Sequence, residues 1–315
     1  MWELLIIIVP SAIAYTMPLL MGALGGLYSE RSGVTNLCIE GLMLFGCFAS
    51  AATIVKLQAI PGFSFNLAIV IGIVVAMLAS TLLAALHAIA SINLKADQTI
   101  SGTAINMLSS ALSLFLAQTI TGSGNITVVR AVIRSDVPIL SKIPVIGPLF
   151  FSETYWTTWI CIAVWVISYF LLYKTSFGLR LRACGEHPSA VASAGVNVHK
   201  MRYIGVLTSG FLSGLGGACI LVTYAGEYNA GSGINGLGFL AIAALIFGQW
   251  KPLGILGSTA FFGLCMTIAN IGRILPAFSG IPMAVLGAFP YIATLVALVF
   301  SSKKSAAPLA SGQPF

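Results

Sequence analysis

Lys174 to Arg202 reads KTSFGLRLRACGEHPSAVASAGVNVHKMR and is the only polar run of any length between two strongly apolar spans. Five of the fifteen basic residues sit in it, Lys174, Arg180, Arg182, Lys200 and Arg202, and the positive-inside bias puts such a loop in the cytoplasm. That placement orients every other segment. Within the loop, Pro188 suits a first helical position, Ser189 to Ala194 continue as small residues, and Gly195 ends the run. A helix of about two turns does not fold alone. Two readings follow: a kinked cytoplasmic loop held only by its flanking helices, or a helix that also fits a groove on another protein.

Composition agrees with a membrane protein. With 58% hydrophobic and 7% charged residues and a mean hydropathy of +1.01, no water-soluble domain could cover its surface. The net charge of +7 does not point to nucleic acid, because the basic residues are scattered over short loops without interleaved aromatics; they read as topology signals. Cys38, Cys47, Cys161, Cys184, Cys219 and Cys265 lie mostly in apolar spans and never as C-x-x-C, so they read as small buried hydrophobes. His87, His187 and His199 stand beside no cysteine cluster, and no metal site is assigned.

From the start, Leu4 to Leu27 is an apolar run without a basic n-region or a small-residue cleavage site, and reads as a retained first helix carrying Pro10, Pro18 and the close-packing pair Gly22 and Gly26. A second span follows from Leu37 to Val55. Ser32, Thr35 or Asn36 can cap it, and Glu40 falls in its first turn, where the helix dipole favours an acid. A functional reading stands beside that one: Glu40 shares a face with Asn36 and points into a polar pathway. Phe65 to Ala90 and Thr99 to Ile120 are the next spans, the latter with Asn106, Ser110 and Ser113 on one face by their i, i+4, i+7 spacing. That face either hydrogen-bonds a neighbouring helix or lines the path.

Thr121 to Thr154, rich in Gly and Pro, is the longest external loop, and Tyr155 to Tyr173 returns the chain to the cytoplasmic side. After the polar loop come Tyr203 to Tyr224, a short Gly-interrupted segment ending near Gln249, Leu253 to Gly272, and Ile281 to Phe300. Ser32-Gly33-Val34 and Ser232-Gly233-Ile234 precede the second span and the interrupted segment. Placed at opposite faces, they fit inverted repeats, whose broken segments mark a transporter's path. Glu227, Asn229 and Asn235 are candidates for its outer mouth. The tail, 301–315, reads as disordered and cytoplasmic.

The expected fold is an all-α polytopic bundle, one permease domain over 1–315, of about nine helices with eight to ten allowed. Arg31, Lys95, Lys174, Arg180, Arg182, Lys200, Arg202, Lys251, Lys303 and Lys304 fall inside, and Lys56, Arg130, Arg134, Lys142 and Arg273 outside. Ten against five supports an external amino terminus and a cytoplasmic carboxyl terminus. The chain has no G-x-x-x-x-G-K-[ST] loop and so no phosphate cradle for ATP.

G-x-R-x-R-A-x-G-E-x-P-x-A, from Gly178 to Ala190, with Ala194-Gly195 after it, resembles the coupling loop of ABC-importer permeases for simple sugars, branched-chain amino acids and nucleosides. G-L-x-S-E-R-S-G-V-x-N-x-x-x-E-G, from Gly26 to Gly41, resembles nucleoside permeases more closely than the others. The resemblance implies that Arg182, Gly185, Glu186, Pro188, Ala190, Ala194 and Gly195 dock on a cytoplasmic ATPase, which binds ATP and Mg. It also implies a second homologous permease, an external solute-binding protein received by the 121–154 loop, and a bacterial plasma membrane. Asn36, Glu40, Asn106, Ser110, Glu227, Asn229 and Asn235 are the path candidates, and no residue is catalytic.

The alternatives are a simple-sugar or branched-chain amino-acid permease, and a proton-coupled secondary transporter using Glu40, Glu227 or His87. An intramembrane enzyme would need Ser209 or Ser213 within reach of His87.

Overall fold

The computed structural model describes residues 2–129, 131–138, 140–271, 283–301 and 307–315. Arg130, Arg273, Lys303 and Lys304, used in the charge count, lie outside the described residues, as does Gly272.

Apolar runs long enough to span a hydrocarbon core of about 30 Å become the long helices. These are α1 (Trp2–Arg31), α2 (Ile39–Gln58), α3 (Phe65–Ala88, continued by a π turn Ile89–Asn93), α4 (Gln98–Thr121) and α5 (Trp156–Lys174). After them come α8 (Val198–Ile220, with a π turn Leu221–Ala225) and α10 (Pro252–Ile271). Among the described residues these seven are long and apolar enough to cross a membrane. Shorter α6 (Ser176–Glu186), α7 (Pro188–Ser193) and α9 (Leu237–Phe247) complete the set with α11 (Met283–Ser301). The chain is a multi-pass membrane protein, and the seventh expected span is α9, whose 11 residues rise only about 16 Å.

α8 is the hub, packed on α1, α2 and α3. Small residues allow the approach: a Cβ on Gly22 would meet Met43 Sδ at 2.8 Å, and one on Gly26 would meet Ile39 and Leu245 side chains at 2.9 Å. The expected small face of α1 is thus its seam with α2 and α9.

Two ends are distinguishable. At the elbow end the α1 terminus, the α6–α7 junction and the α9–α10 turn meet, since Arg31 bonds both Glu186 and the Trp250 carbonyl. At the hairpin end β1 (Asn125–Thr127) pairs antiparallel with β2 (Glu227–Asn229), Ile126 opposite Tyr228. Tyr228 donates to Ser113 Oγ at 2.8 Å and fixes the hairpin to α4. No sequence signal was read as a strand, because three-residue strands have no periodicity to detect.

The polar stretch 174–202 is mostly helical. α7 and the turn at Gly195 (φ +79°) follow the sequence reading. α6 is an addition to that expectation: Thr175 caps it, its hydroxyl accepting the Gly178 N–H at 3.2 Å. The tail also departs from expectation. Residues 307–315 pack against the elbow, with the Ala310 N–H on the Gly185 carbonyl at 2.8 Å, so this part is ordered by contacts that composition does not reveal.

Candidate functional site

Residues 32–38 leave the helix of α1 and run into the bundle, so α2 begins among packed helices with its first N–H groups away from water. Ser32, Thr35 and Asn36 do not cap it; the residue before α2 is Cys38, which makes no side-chain cap. The partners come from elsewhere. Asn106 on α4 takes the Gly41 N–H at 2.7 Å and gives its amide to the Leu37 carbonyl at 2.8 Å. Asn36 gives its amide to Ser209 Oγ at 2.7 Å and accepts the Cys38 N–H. Because Asn36 is not helical, it does not share a face with Glu40.

Glu40 turns instead to α9. Its carboxylate accepts the N–H groups of Gly236, Gly238 and Phe239 at 3.0, 2.6 and 3.3 Å, an anion at the positive end of a short helix. The crossing is tight: a Cβ on Gly238 would lie 2.4 Å from the Glu40 Cα, so only glycine fits there.

Beside this crossing, toward the hairpin end, opens a cavity of about 550 Å3, within the usual size of small-molecule sites. Glu227, Asn229 and Asn235 line it together with Tyr15, Tyr224, Ser232, Asn270 and Tyr291. The Tyr15 and Tyr224 rings lie 4.5 Å apart, and the Tyr291 hydroxyl donates to the Asn235 carbonyl at 2.7 Å. Asn229 Oδ1 accepts two N–H groups of its own turn, from Gly231 and Ser232. Three of the seven path candidates therefore share one cavity. Asn36, Glu40 and Asn106 surround the start of α2, and Ser110 is exposed on α4. The four aromatic and amide residues Tyr15, Tyr224, Asn270 and Tyr291 were not read as path residues, since each stands alone in an apolar helix.

At the elbow end α7 buries one residue, Val191, and exposes Ser189, Ala190, Ala192, Ser193 and Ala194. Of the seven coupling candidates, Ala190, Ala194 and Gly195 are exposed while Gly185 is buried. Gly185 lies against the end of α1, where a Cβ would meet the Arg31 carbonyl at 2.5 Å. Pro188 opens α7, and Arg182 stacks over Tyr173 with its guanidinium carbon 4.5 Å from the ring centre. Glu186 is paired within the chain, 3.3 Å from Arg31. Arg31 also donates from Nε and Nη2 to the Trp250 carbonyl at 3.2 and 2.9 Å, and the Trp250 indole donates to Glu30. One guanidinium thus joins the α6–α7 junction to the turn that ends α9. The sequence marks Arg31 only as a topology charge and Trp250 only as part of a turn.

The nucleophile arrangement is not assembled. His87 bonds Ser101 at 2.9 Å and the Thr35 carbonyl at 3.1 Å, while Ser209 accepts from Asn36. Among the described residues no group of three or more His, Cys, Asp or Glu is placed to hold a metal.

Residues 8–299 match a family model described as the permease component of branched-chain amino acid transport systems. The chain is 43% identical over 315 residues to the guanosine ABC transporter permease protein NupQ of Bacillus subtilis, covering 99% of this chain and 97% of that one. It is 38% identical over 306 residues to the nucleoside ABC transporter permease protein NupC of Lactococcus lactis, covering 97% and 95%. The nucleoside ABC transporter permease protein NupB of the same Lactococcus strain matches over 108 residues at 29%, covering 34% and 30%.

Proposed function

We propose that this chain, which belongs to the family of branched-chain amino acid transport permease components, is a membrane subunit of an ATP-driven nucleoside importer. Members of this family are transport subunits and not enzymes. The observation that carries the substrate class is the 43% identity to a guanosine permease over 99% of this chain.

The cavity suits such a solute. Tyrosine rings offer a stacking face to a base, and asparagine and serine side chains meet ribose hydroxyls and base edges without fixed charge. The elbow end faces the cytoplasm with the carboxyl-terminal segment, and the hairpin end faces the solute-binding protein. The partners are a second, different permease, a cytoplasmic ATPase that binds ATP and Mg, and that binding protein. Two nucleoside permeases of one Lactococcus strain both resemble this chain, which favours a pair of unlike permeases.

In this reading α7 meets the ATPase through its exposed small side chains. Its displacement reaches the α9 turn through Glu186, Arg31 and the Trp250 carbonyl. α9 then moves against the Glu40 carboxylate that holds its start, and Asn235 and Leu237, which line the cavity, move with it. The carboxylate positions a helix and carries no proton in this scheme.

The test is radiolabelled nucleoside uptake into cells expressing the intact system, with Ala190→Arg in this chain. Ala190 is exposed, so the change leaves the Arg31–Glu186 pair in place. Uptake should fall at least about tenfold while the chain stays in the membrane, and unlabelled nucleosides should compete where ribose and leucine do not. Uptake that persists without the ATPase would replace this reading by secondary transport, and competition by ribose or leucine alone would change the substrate class.

A further inference from the structure

Residues 307–315 touch three parts of the elbow end that the chain brings together from far apart. The Ala310 N–H donates to the Gly185 carbonyl at 2.8 Å and the Leu309 N–H to Glu186 Oε2 at 3.4 Å, both at the end of α6. Ser311 and Thr35 share a hydroxyl–hydroxyl hydrogen bond of 3.1 Å. The Gln313 carbonyl accepts from Arg202 Nη1 at 3.0 Å, and the Phe315 ring packs on Arg202 and His199, 5.7 and 5.9 Å away.

Each contact falls on a different working part. Gly185 and Glu186 precede α7. Thr35 belongs to the non-helical foot beneath α2, and its N–H and carbonyl are held by Gln98 and His87. Arg202 is 1% exposed in the first turns of α8, and its Nε and Nη2 have no hydrogen-bond partner among the described residues. The Gln313 carbonyl is therefore a main counterpart of a buried cation, whose desolvation is costly unless it is bonded. Pro308 and Ala310 are buried under these contacts. Composition alone, Ala, Pro, Ser and Gly, would leave this segment in water, so its ordering comes from the specific bonds.

We propose that 307–315 is a coupling strap: it ties the α6–α7 junction to the foot of α2 and to α8, so that displacement of α7 reaches the foot as well as the α9 turn. The strap rests on the reading of α7 as the ATPase contact. Without it, the foot follows α7 only through the end of α1, where Arg31 meets Gly185 and Glu186, and the chain's own packing near Gly33 and Arg202. With it, the start of α2 and the cavity-lining start of α9 are driven from one place.

The experiment uses the complete transporter in lipid nanodiscs, with 307–315 replaced by a Gly/Ser sequence of equal length, and reads nucleoside moved per ATP hydrolysed. Assembly with the ATPase and hydrolysis should persist while that ratio falls about fivefold or more, the lower end of typical site-to-site coupling. In parallel, Thr35→Val and Ser311→Ala are combined in a double-mutant cycle. Their effects on the ratio should be non-additive, since one hydrogen bond joins them. An unchanged ratio, or a loss of hydrolysis and uptake together with loss of assembly, overturns the strap as a coupling element, as does strict additivity of the pair. Failure of the unaltered chain to assemble with any ATPase would instead overturn the reading of α7.

Discussion

Ser32-Gly33-Val34 and Ser232-Gly233-Ile234 stand 200 residues apart and introduce the two interrupted segments, yet the two are built differently. The first, before α2, is stitched by side chains from other helices: Asn106 from α4, Gln98 at the start of α4, Ser209 from α8. The second, before α9, is held mainly by its own turns, by one carboxylate and by the Tyr291 hydroxyl, and its Ser232 to Asn235 stretch lines a cavity. One break is a fixed foot and the other a wall facing open space. Both exist because a buried helix start needs partners for its N–H groups. Who supplies them decides which break is free to meet a solute.

That contrast can be broken most severely at the crossing itself. Gly238→Val places side-chain atoms on the Glu40 backbone, where a Cβ alone would approach to 2.4 Å. We expect about 3 kcal/mol or more of destabilisation, seen as loss of monodisperse protein on heating. Gly233→Ala, in the loop of the second break that faces the cavity, should cost only about 1 kcal/mol, for its φ of +58°. Equal losses at both would show that the cavity-facing loop is packed as tightly as the crossing.

Next in size, Asn106→Ala removes partners from the Gly41 N–H and the Leu37 carbonyl. About 2 kcal/mol should be lost, whereas Asn229→Ala, whose turn is open to water, should cost about 0.5 kcal/mol or less. Thermal midpoints of the purified chain compare the two. Glu40→Gln keeps the shape of the cap and removes the charge at the start of α9, so about 1 kcal/mol is expected, with a proportionally larger fall in uptake. If Glu40→Gln abolished pH dependence of uptake while the cap survived, proton coupling would be back in view.

The smallest effect concerns Cys184, at the elbow and fully buried. Burial pushes its thiol above the ordinary value, with the nearby Arg202 charge opposing. A raised thiol favours the folded state below the ordinary thiol range of about 8.5, and this contribution is lost as pH rises above it. Alkylation followed by mass spectrometry at pH 8 should find Cys184 largely unmodified, and modified faster when the 307–315 segment is replaced.

Much of the fold was legible because long apolar runs have one solution in a bilayer, an α-helix with its bonds satisfied internally. Pro188 and Gly195 marked α7 by local backbone chemistry alone. The foot of α2 was harder: Asn36 and Glu40 have helical spacing in sequence, but the bonds of Asn36 to Ser209 and Cys38 hold it outside the helix. The cavity was half legible. Glu227, Asn229 and Asn235 stand in a polar, Gly-rich stretch, whereas Tyr15, Tyr224 and Tyr291 come from three distant helices and become neighbours only through packing. The tail's order was illegible for the same reason, since its partners Gly185, Thr35 and Arg202 are far away in sequence.

The most direct measurement compares two exposed serines, Ser232 in the cavity and Ser110 on α4. Ser232→Cys and Ser110→Cys are made separately in the assembled transporter, and the rate of reaction with a water-soluble maleimide is followed with and without nucleoside. Nucleoside should slow modification of Ser232→Cys and leave Ser110→Cys unaffected, with ribose protecting neither. Protection of Ser110→Cys with none at Ser232→Cys would contradict the assignment of the second break to the solute and move the path to α4.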